Sequence, residues 1–464
     1  MHPRSPEISA RKVVHIGLDD TDSQRRGCTT YVASILIEEL LKRGVRFVDF
    51  PSLVRLNPNV PWKTRGNGAV SLRVVTDDFE GLKEVTTKVV EEHSDLESYG
   101  TDPGVVFYRG VVTGALEAFA ERTIKTLVKL DEALKLIDKC GGEFVRFKDG
   151  RGVIGGLAAI GEQLLGDHTF EIIAYRLPKR CGTTRMVDVG SILSMNRETT
   201  PLTFNNVDLE KDRVLITPHS PDPILYGIRG ETPEVVKKAF DMVKPLEEVD
   251  RWTVFRTNHG TDAHLEDIDA LGEARPYMSV AITGRVAGDP VVIEGGHVIL
   301  RLERSGEEIE CAAYEPTGFL NGAARRLIDG DAIRAYGSIK ASPSTTGRCL
   351  NLEKIELLRL APSSVLRNPR CTKCGKSMSS LGRDKGFRCK KCGCHMPKAE
   401  KVPVEVSRSL KETLYISSPR AHRHLMRPYS RYGRERSRLR KGHLRCCDPS
   451  EFYWSSSFDQ GLRG

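Results

Sequence analysis

The chain contains no run that approaches the roughly 20 consecutive apolar residues needed to cross a membrane. Its first stretch, Met1 to Lys12, also lacks the apolar core of a secretory signal. These two absences exclude the common membrane-anchored and secreted classes at the sequence level. We therefore expect a cytoplasmic protein.

The 12 cysteines lack the arrangement of a disulfide framework. Scattered single thiols are typical of proteins in reducing compartments, which again favours the cytoplasm. Internal repeats and low-complexity tracts are also absent. The isolated cysteines are Cys28, Cys140, Cys181, Cys311 and Cys349.

The composition is that of a globular protein, with 39% hydrophobic and 29% charged residues among 464. At about 100–200 residues per domain, this length predicts three or four domains. Charge is unevenly distributed, because residues 367–464 hold 24 lysines and arginines against 8 acidic residues, a net charge of +16, whereas residues 1–366 carry −7. The basic end predicts contact with a polyanion. For residues 430–464 taken alone, a disordered tail kept for solubility is the alternative.

The first part of the chain reads as an α/β domain that ends near residue 135. A predicted strand over 13–18 runs into the acidic loop Asp19–Ser23. Thr29 or Thr30 is then placed to cap a helix whose apolar residues recur at helical spacing until Gly44. Further predicted elements are strands at Val45–Phe50 and Ala69–Val75 and an amphipathic helix over Leu82, Val85 and Val89.

The two following regions predict different folds. Residues 140–265 alternate short strands with a helix, which indicates a ferredoxin-like α+β domain. Residues 277–360 contain five short strands and a helix-like insertion over 318–327, which favours an OB-fold, with other small β-barrels as the alternative. The strands of the first region are predicted at Val153–Ile160, Phe170–Tyr175, Arg213–Thr217 and Trp252–Arg256, and its helix near Glu234–Val243.

Two CxxC pairs near the C-terminus predict a structural zinc ribbon. Fourteen residues separate the second cysteine of one pair from the first of the next. Four thiolates from two tight turns provide the tetrahedral field of a closed zinc site. The predicted ligands are Cys371, Cys374, Cys389 and Cys392, with Cys394 and His395 near enough in sequence to replace one of them.

The acidic loop is a candidate magnesium site. Asp19, Asp20 and Asp22 follow a predicted strand, at the edge where α/β domains usually hold their catalytic groups. Because three carboxylates within four residues repel one another, divalent cations best explain their clustering, and Mg²⁺ on nucleotide phosphates is the corresponding hypothesis. The alternative is an acidic turn in which an aspartate caps a helix.

A second loop has the composition of a phosphate-binding site. Its glycines permit close backbone approach, and Lys63 and Arg65 supply positive charge. It does not match the Walker A pattern, and an ordinary Gly-rich hairpin turn at Asn67-Gly68 is the alternative. The candidate nucleotide-binding residues are Lys63, Thr64, Arg65, Gly66, Asn67 and Gly68.

Taken together, these motifs resemble the archaeal agmatidine synthases, the tRNA-isoleucine 2-agmatinylcytidine synthetases. The resemblance covers about residues 13–430. It is carried by Gly17–Ser23, Cys28–Thr30, Arg55–Asn57, Lys63–Ala69, Gly100–Gly104, Pro221–Gly230 and Arg256–His264.

The resemblance implies a multidomain α+β protein. The expected order is a tail over 1–12, an α/β kinase-like ATP-dependent catalytic domain over 13–135, a ferredoxin-like agmatine-binding domain over 136–270, an OB-fold β-barrel over 275–360, a C-terminal zinc ribbon over 366–400, and a basic tail over 401–464. No role is assigned to residues 1–12 or to the chain after about residue 430.

The implied activity is ATP-dependent attachment of agmatine to carbon-2 of the wobble cytidine of an isoleucine tRNA with a CAU anticodon. The product, agmatidine, lets that tRNA decode AUA. The implied cofactors are ATP, Mg²⁺ and Zn²⁺, and the partners are the tRNA and agmatine. Thr29 matches the autophosphorylated threonine of the family, whereas a plain helix cap is its alternative role. Because agmatine is a dication, Glu171 and Asp222 are the candidate contacts in the second domain.

Two other functions remain open at this point. A non-enzymatic OB-fold and zinc-ribbon protein that binds nucleic acid would leave the aspartate and phosphate loops without a purpose. A phosphotransferase acting on a small molecule would not need the +16 segment. ATP turnover that requires RNA distinguishes all three.

Overall fold

The computed structural model describes residues 12–341, 347–438 and 446–458. Within them, helices are too short or too polar to span a bilayer. The predictions for residues 1–11 and for residues 439–445 and 459–464 of the basic tail lie outside the described residues.

The described residues up to Thr257 contain seven α-helices and twelve strands. The helices are α1 (Thr29–Lys42), α2 (Phe79–His93), α3 (Gly114–Lys125), α4 (Leu130–Cys140), α5 (Gly152–Gly161), α6 (Val189–Thr199) and α7 (Pro233–Met242). The strands are β1 (Val13–Asp19), β2 (Arg46–Phe47), β3 (Ser52–Arg55), β4 (Gly68–Val75), β5 (Gly104–Arg109), β6 (Glu143–Arg146), β7 (Thr169–Arg176), β8 (Thr203–Phe204), β9 (Val207–Asp208), β10 (Arg213–Val214), β11 (Ile224–Gly230) and β12 (Val249–Thr257).

One continuous sheet joins the two predicted N-terminal domains. Its central path runs β6-β5-β1-β4-β3-β12-β7-β11-β8. The junction is the parallel pairing of β3 with β12, where Ser52 lies opposite Arg256. Residues of both regions are therefore held in fixed register on either side of this junction.

Helix α1 shows how the sequence pattern builds this layer. Val32, Leu36 and Leu40 lie on one face and are fully buried against the sheet, as their spacing predicts. The helix ends before Gly44, which adopts a positive φ of 71°. Its N-cap is Cys28, so the prediction of Thr29 or Thr30 as the cap is wrong by one residue, and Thr29 is the first helical residue.

Helix α5 corrects another prediction, since Val153–Ile160 reads as a strand in the sequence. The segment is buried on nearly every side, so it has no amphipathic period, and a short apolar run of this kind is ambiguous between strand and helix. Glycines let the helix lie directly on β1: a Cβ added at Gly17 would come within 2.0 Å of the carbonyl oxygen of Gly156.

The third unit is a closed five-stranded barrel with an inserted helix, which confirms the OB-fold prediction. Strands β14, β16, β17, β19 and β18 close it through the pairing of β14 with β16 and with β18. The elements are β13 (Leu265–Asp267), β14 (Ser279–Val286), β15 (Val291–Val292), β16 (Val298–Arg304), β17 (Glu307–Ala313), α8 (Phe319–Ala324), β18 (Ala332–Ala341) and β19 (Arg348–Arg359).

The zinc-ribbon region follows the barrel and is built from short hairpins. Strand β20 (Ser364–Arg367) pairs with β24 (Val402–Glu405) and closes the base of the unit. A second small sheet is formed by β21 (Ser379–Ser380), β22 (Phe387–Arg388) and β23 (His395–Met396).

The chain then turns back over the first two regions. Strand β25 (Leu414–Ile416) joins the barrel beside β19, and β26 (Tyr453–Ser455) joins the large sheet beside β12. Arg431 is fully buried and pairs with Asp167 at 2.9 Å and Glu231 at 2.8 Å. Residues 414–438 and 446–458 are therefore not a disordered tail. They add strands to both sheets, and Arg431 forms ion pairs in the interior of the fold.

Candidate active site

A cavity of about 420 Å³ lies where β1, α1, α5 and the strands of the second region meet. Every catalytic, nucleotide-binding and agmatine-binding residue proposed from the sequence lines it. They are Asp19, Asp20, Asp22, Thr29, Lys63, Thr64, Arg65, Gly66, Asn67, Gly68, Glu171 and Asp222. Residues far apart in the sequence are thus brought to one space by the shared sheet.

The acidic loop begins at the end of β1. Asp20 adopts a positive φ of 61°, and its backbone N–H donates to the Asp19 carboxylate at 2.7 Å. Burial and the neighbouring Asp20 carboxylate raise the pKa of Asp19 well above its usual range. Burial likewise raises the pKa of Asp20 to about 6, against the opposing effect of Arg151. The loop therefore places three carboxyl groups where burial disfavours their ionised form.

Two arginines partly neutralise this loop. Arg151, at the start of α5, lies 3.0 Å from Asp20, and Arg65 lies 2.8 Å from Asp22. No lysine, arginine or histidine of the described chain makes an ion pair with Asp19. Asp19 is thus the carboxylate of the loop that most needs an added cation.

The three carboxylates do not converge in this structure. Across the described ranges, the one group of three or more Asp, Glu, His or Cys ligand atoms within 4.8 Å of one another is the cysteine cluster of the ribbon. Asp20 and Asp22 are instead directed to Arg151 and Arg65. Carboxylate oxygens are suitable ligands for a divalent cation. To bind one, Asp20 would have to give up its ion pair with Arg151, and Asp22 its ion pair with Arg65.

The second loop is anchored through Arg65. Its guanidinium contacts Asp22, lies 3.2 Å from Asp222, and donates to the carbonyl oxygens of Ser23 and Gly27 at 2.9 and 2.8 Å. Lys63, by contrast, makes no hydrogen bond or ion pair with other described residues. Arg65 therefore positions the loop, and Lys63 is the free cation that phosphate oxygens would meet.

Thr29 lies at the N-terminal end of α1, facing the cavity. Its hydroxyl is buried and accepts a hydrogen bond from the Thr21 hydroxyl at 3.1 Å. Free N–H groups and the helix dipole at this end favour a negative group. A phosphate carried on Thr29 fits this environment.

The candidate agmatine contacts are both already paired with arginines. Glu171 lies 2.8 Å from Arg229 and 3.2 Å from Arg55. Its burial favours the neutral form, but these two guanidinium groups hold its pKa well below the usual range. Asp222 lies 2.9 Å from Arg185 and also accepts from Arg65. A dication would have to share these carboxylates with the resident arginines.

Several cavity residues are not singled out by the sequence. Arg151 lies in the glycine-rich run Gly150–Gly156, whose sequence alone indicates no role, and His424 follows the zinc ribbon, far from any motif. The His424 ring packs 5.0 Å from that of His259 and against the phosphate loop, since a Cβ at Gly66 would lie 2.5 Å from its Nε2. Burial lowers the pKa of both histidines, to about 4 for His259. Only the tertiary fold could reveal this pair.

The cysteine cluster fits zinc. The sulfurs of Cys371 and Cys392 lie 3.4 Å apart, as do those of Cys374 and Cys389. These separations are close to the S–S edge of about 3.8 Å in a tetrahedron with Zn–S bonds of about 2.3 Å. The group contains all four predicted ligands and neither Cys394 nor His395; the His395 ring instead contacts the Lys385 carbonyl at 3.2 Å.

Known proteins share this architecture and order. Family profiles match the chain as TiaS TCKD domain over 15–80, TiaS FLD domain over 150–264 and TiaS C-terminal zinc ribbon domain over 368–410. An Archaeoglobus fulgidus protein, named as the 2-agmatinylcytidine synthetase TiaS of an isoleucine tRNA, is 44% identical over 418 residues, which are 90% of this chain and 97% of that protein. The chain belongs to the TiaS family. A Methanosarcina mazei protein of the same name is 44% identical over 432 residues, 91% of this chain and 99% of its own.

Solved TiaS structures are also similar. One, described as a complex of TiaS with that isoleucine tRNA and ATP, has a TM-score of 0.81 at 43% identity and covers 90% of this chain and 97% of its own. Another, described as a complex with the same tRNA, AMPCPP and agmatine, has a TM-score of 0.79 at 41% identity, covering 90% and 96%. The family resemblance seen in the sequence is confirmed, as are the mixed α/β architecture, the barrel and the ribbon. The kinase-like character of the first domain stays a prediction.

Proposed function

We propose that this protein uses ATP to attach agmatine to carbon-2 of the wobble cytidine of CAU-anticodon isoleucine tRNA. The main support for this proposal is that the acidic loop, the phosphate loop, Thr29 and the carboxylates of the second domain all line one cavity. The TiaS relatives from Archaeoglobus fulgidus and Methanosarcina mazei, which this chain matches over 97% and 99% of their lengths, are named for this reaction. A tRNA substrate is in keeping with the cytoplasmic location expected from the sequence.

The first chemical step is phosphoryl transfer to the carbonyl oxygen on carbon-2 of the base, and ATP supplies the phosphoryl group. Lys63 and the backbone N–H groups of Gly66–Gly68 would hold the phosphate oxygens, where charge is best stabilised by fixed donors in a dry site. Arg65 keeps the loop in place through Asp22 and Asp222. The base must leave the anticodon stack to enter the cavity.

In the second step, the primary amine of agmatine attacks carbon-2 and phosphate leaves with the carbonyl oxygen. The neutral –NH2 form of the amine makes the attack, gives up one proton to the departing phosphate as the new C–N bond forms, and keeps one hydrogen on the nitrogen. Glu171 and Asp222 would orient the dication from the far side of the cavity. Because Glu171 is paired with Arg229 and Asp222 with Arg185, neither carboxylate offers agmatine its full negative charge. Hydrogen bonds from the guanidinium of agmatine to these carboxylates would then determine how it is oriented.

Magnesium would be held by Asp19, Asp20 and Asp22. The support is that the three carboxyl groups follow one another along the wall of the cavity and that Asp19 makes no ion pair with a described residue; burial and the adjacent Asp20 carboxylate raise the pKa of Asp19, which a divalent cation would offset. A bound cation would neutralise phosphate charge during transfer. Asp20 and Asp22 would then release Arg151 and Arg65 in part.

The test uses full-length protein, ATP, Mg²⁺, labelled agmatine and an unmodified CAU-anticodon isoleucine tRNA transcript. Asp20→Asn removes a loop carboxylate, and Asp77→Asn, an exposed turn residue, is the matched control. Label should enter the RNA only with ATP, in the wild type and in Asp77→Asn. ATP cleavage without labelled RNA would support a small-molecule phosphotransferase instead, and neither activity would support a nucleic-acid-binding module.

A further inference from the structure

Three cations from distant parts of the chain lie between the cavity and the barrel, near enough for their charges to affect one another. Lys63 belongs to the phosphate loop, Lys340 lies near the end of β18, and Arg423 lies in the segment that returns after the ribbon. Arg423 joins the other two regions, since it donates to the side-chain oxygen of Asn59 at 2.7 Å and to the Ser338 hydroxyl at 2.6 Å. The cluster is therefore held in place by the fold.

This cluster carries little compensating negative charge. Lys63 and Lys340 make no hydrogen bond or ion pair with any described residue. Arg423 has a carboxylate at 3.7 Å, that of Glu353, but Glu353 is also bound by His264 at 2.9 Å. Burial and the charge of Arg423 lower the pKa of both lysines, as expected for half-buried cations that repel one another. A bound anion would remove this repulsion.

Aromatic groups lie beside the cations. Trp62 precedes Lys63 and is 49% exposed, and Tyr314 is 41% exposed. The Tyr314 ring packs 5.2 Å from the His297 ring on the barrel. Burial raises the pKa of Tyr314, and the positive charge of Arg423 opposes that rise, so Arg423 lies near its hydroxyl. Cations interleaved with exposed aromatic faces are the combination that binds single-stranded nucleic acid, through phosphates and stacked bases.

The position of the cluster indicates which anion it receives. Lys63 lines the cavity, whereas Lys340 and Arg423 do not. A ligand that meets all three must extend out of the cavity toward the barrel, which a nucleotide confined to the cavity does not do. An RNA strand whose base has entered the cavity continues in that direction through its own backbone.

We propose that Lys340, together with Lys63 and Arg423, forms a subsite for an RNA backbone phosphate next to the nucleotide that enters the cavity. This inference rests on the proposed function. The subsite connects the barrel to the catalytic loops, so that binding of the strand on the barrel fixes the register of the reacting base. Lys340 is its best probe because it lies outside the cavity lining and makes no hydrogen bond to the catalytic loops.

The experiment measures binding of a CAU anticodon stem-loop and of the whole tRNA transcript as a function of salt. Lys340→Gln removes the charge, Lys340→Arg restores it, and Lys238→Gln, an exposed lysine on α7, is the control. Losing one phosphate contact should reduce the slope of log affinity against log salt by roughly 0.7–0.9. We expect that reduction for Lys340→Gln with both RNAs and not for the other variants.

The affinity for ATP, measured without RNA, shows whether the cluster binds an RNA backbone phosphate or a phosphate of ATP. It should be the same in Lys340→Gln and in the control, and a selective loss would show that the cluster serves the nucleotide instead. A salt slope for Lys340→Gln equal to that of the control would also overturn the subsite. If the wild type modifies no CAU tRNA, the proposed function itself fails, and this outcome is read from the labelling assay before the variants are compared. Melting temperatures equal to wild type verify that each variant is folded.

Discussion

Gly155 on α5 is a position where one added methyl group tests the geometry of the active site. A Cβ built there would lie 1.9 Å from a carboxylate oxygen of Asp19. Non-bonded heavy atoms stay roughly 3 Å or more apart, so the Asp19 carboxylate would have to move by about 1 Å. The backbone of α5 is fixed by its contact with β1, and the side chain of Asp19 must therefore give way.

The expected result of Gly155→Ala is a loss of activity in a folded protein. A displacement of about 1 Å in a catalytic group costs on the order of 100-fold in rate. Helix propensity acts in the opposite direction, because alanine is favoured over glycine by about 1 kcal/mol inside a helix. The variant should thus keep a melting temperature near that of the wild type and need more Mg²⁺ for half-maximal rate.

Gly322→Ala is the matched control. Gly322 lies in α8, and no atom beyond its chain neighbours and the backbone of its own helix comes within 4 Å of a Cβ built there. Both variants make the same change in a helix, but only one touches Asp19. Agmatidine formation by each variant is measured at saturating substrates across a Mg²⁺ titration. Equal rates for the two variants, within about threefold, would refute the role assigned to the Asp19 position.

Four further outcomes are expected. Phe452→Ala should lower the free energy of unfolding by about 3–5 kcal/mol, seen as a lower melting temperature, because the buried ring packs 5.4 and 5.8 Å from two other phenylalanine rings; an unchanged value would contradict this packing. Thr29→Val should abolish transfer of labelled phosphate from ATP to the protein, and retained label would place the acceptor elsewhere. Since the pKa of Asp20 is raised to about 6, protons should compete with Mg²⁺ below that pH, so Mg²⁺ affinity measured by calorimetry should rise as pH increases through 6; a flat profile, or one that Asp20→Asn leaves unchanged, would contradict Mg²⁺ binding by an Asp20 of raised pKa. Cys371→Ser should release zinc and expose the ribbon to protease while the large sheet keeps its melting temperature.

Local pattern is sufficient to predict much of the fold. The sequence predicts five short strands within 277–360, and the five strands of the barrel lie there, because the alternation along a barrel strand is a local property. The four cysteine ligands are predictable for the same reason, since two CxxC turns form their own site. The acidic and phosphate loops are also found, as each is a contiguous run of residues whose chemistry is evident in the sequence.

Long-range pairing explains what the sequence does not reveal. Helix α5 reads as a strand because its burial depends on glycine contacts with β1, which no local pattern records. The arginine partners of Glu171 come from β3 and β11, 116 and 58 residues away. These contacts decide how much charge the candidate agmatine contacts retain, and they follow only from the sheet that joins the two domains.

The basic C-terminal segment shows why charge counted along a sequence overstates charge available to a ligand. Arg420 pairs with Asp208 at 2.8 Å, and Arg431 is wholly buried between two carboxylates of the second region. These arginines fasten the returning segment, and so they place His424 beside the phosphate loop and Arg423 beside Lys340. Under the proposed function, the segment after the ribbon would therefore contribute to RNA binding through the position of Arg423 beside Lys340 more than through its total charge.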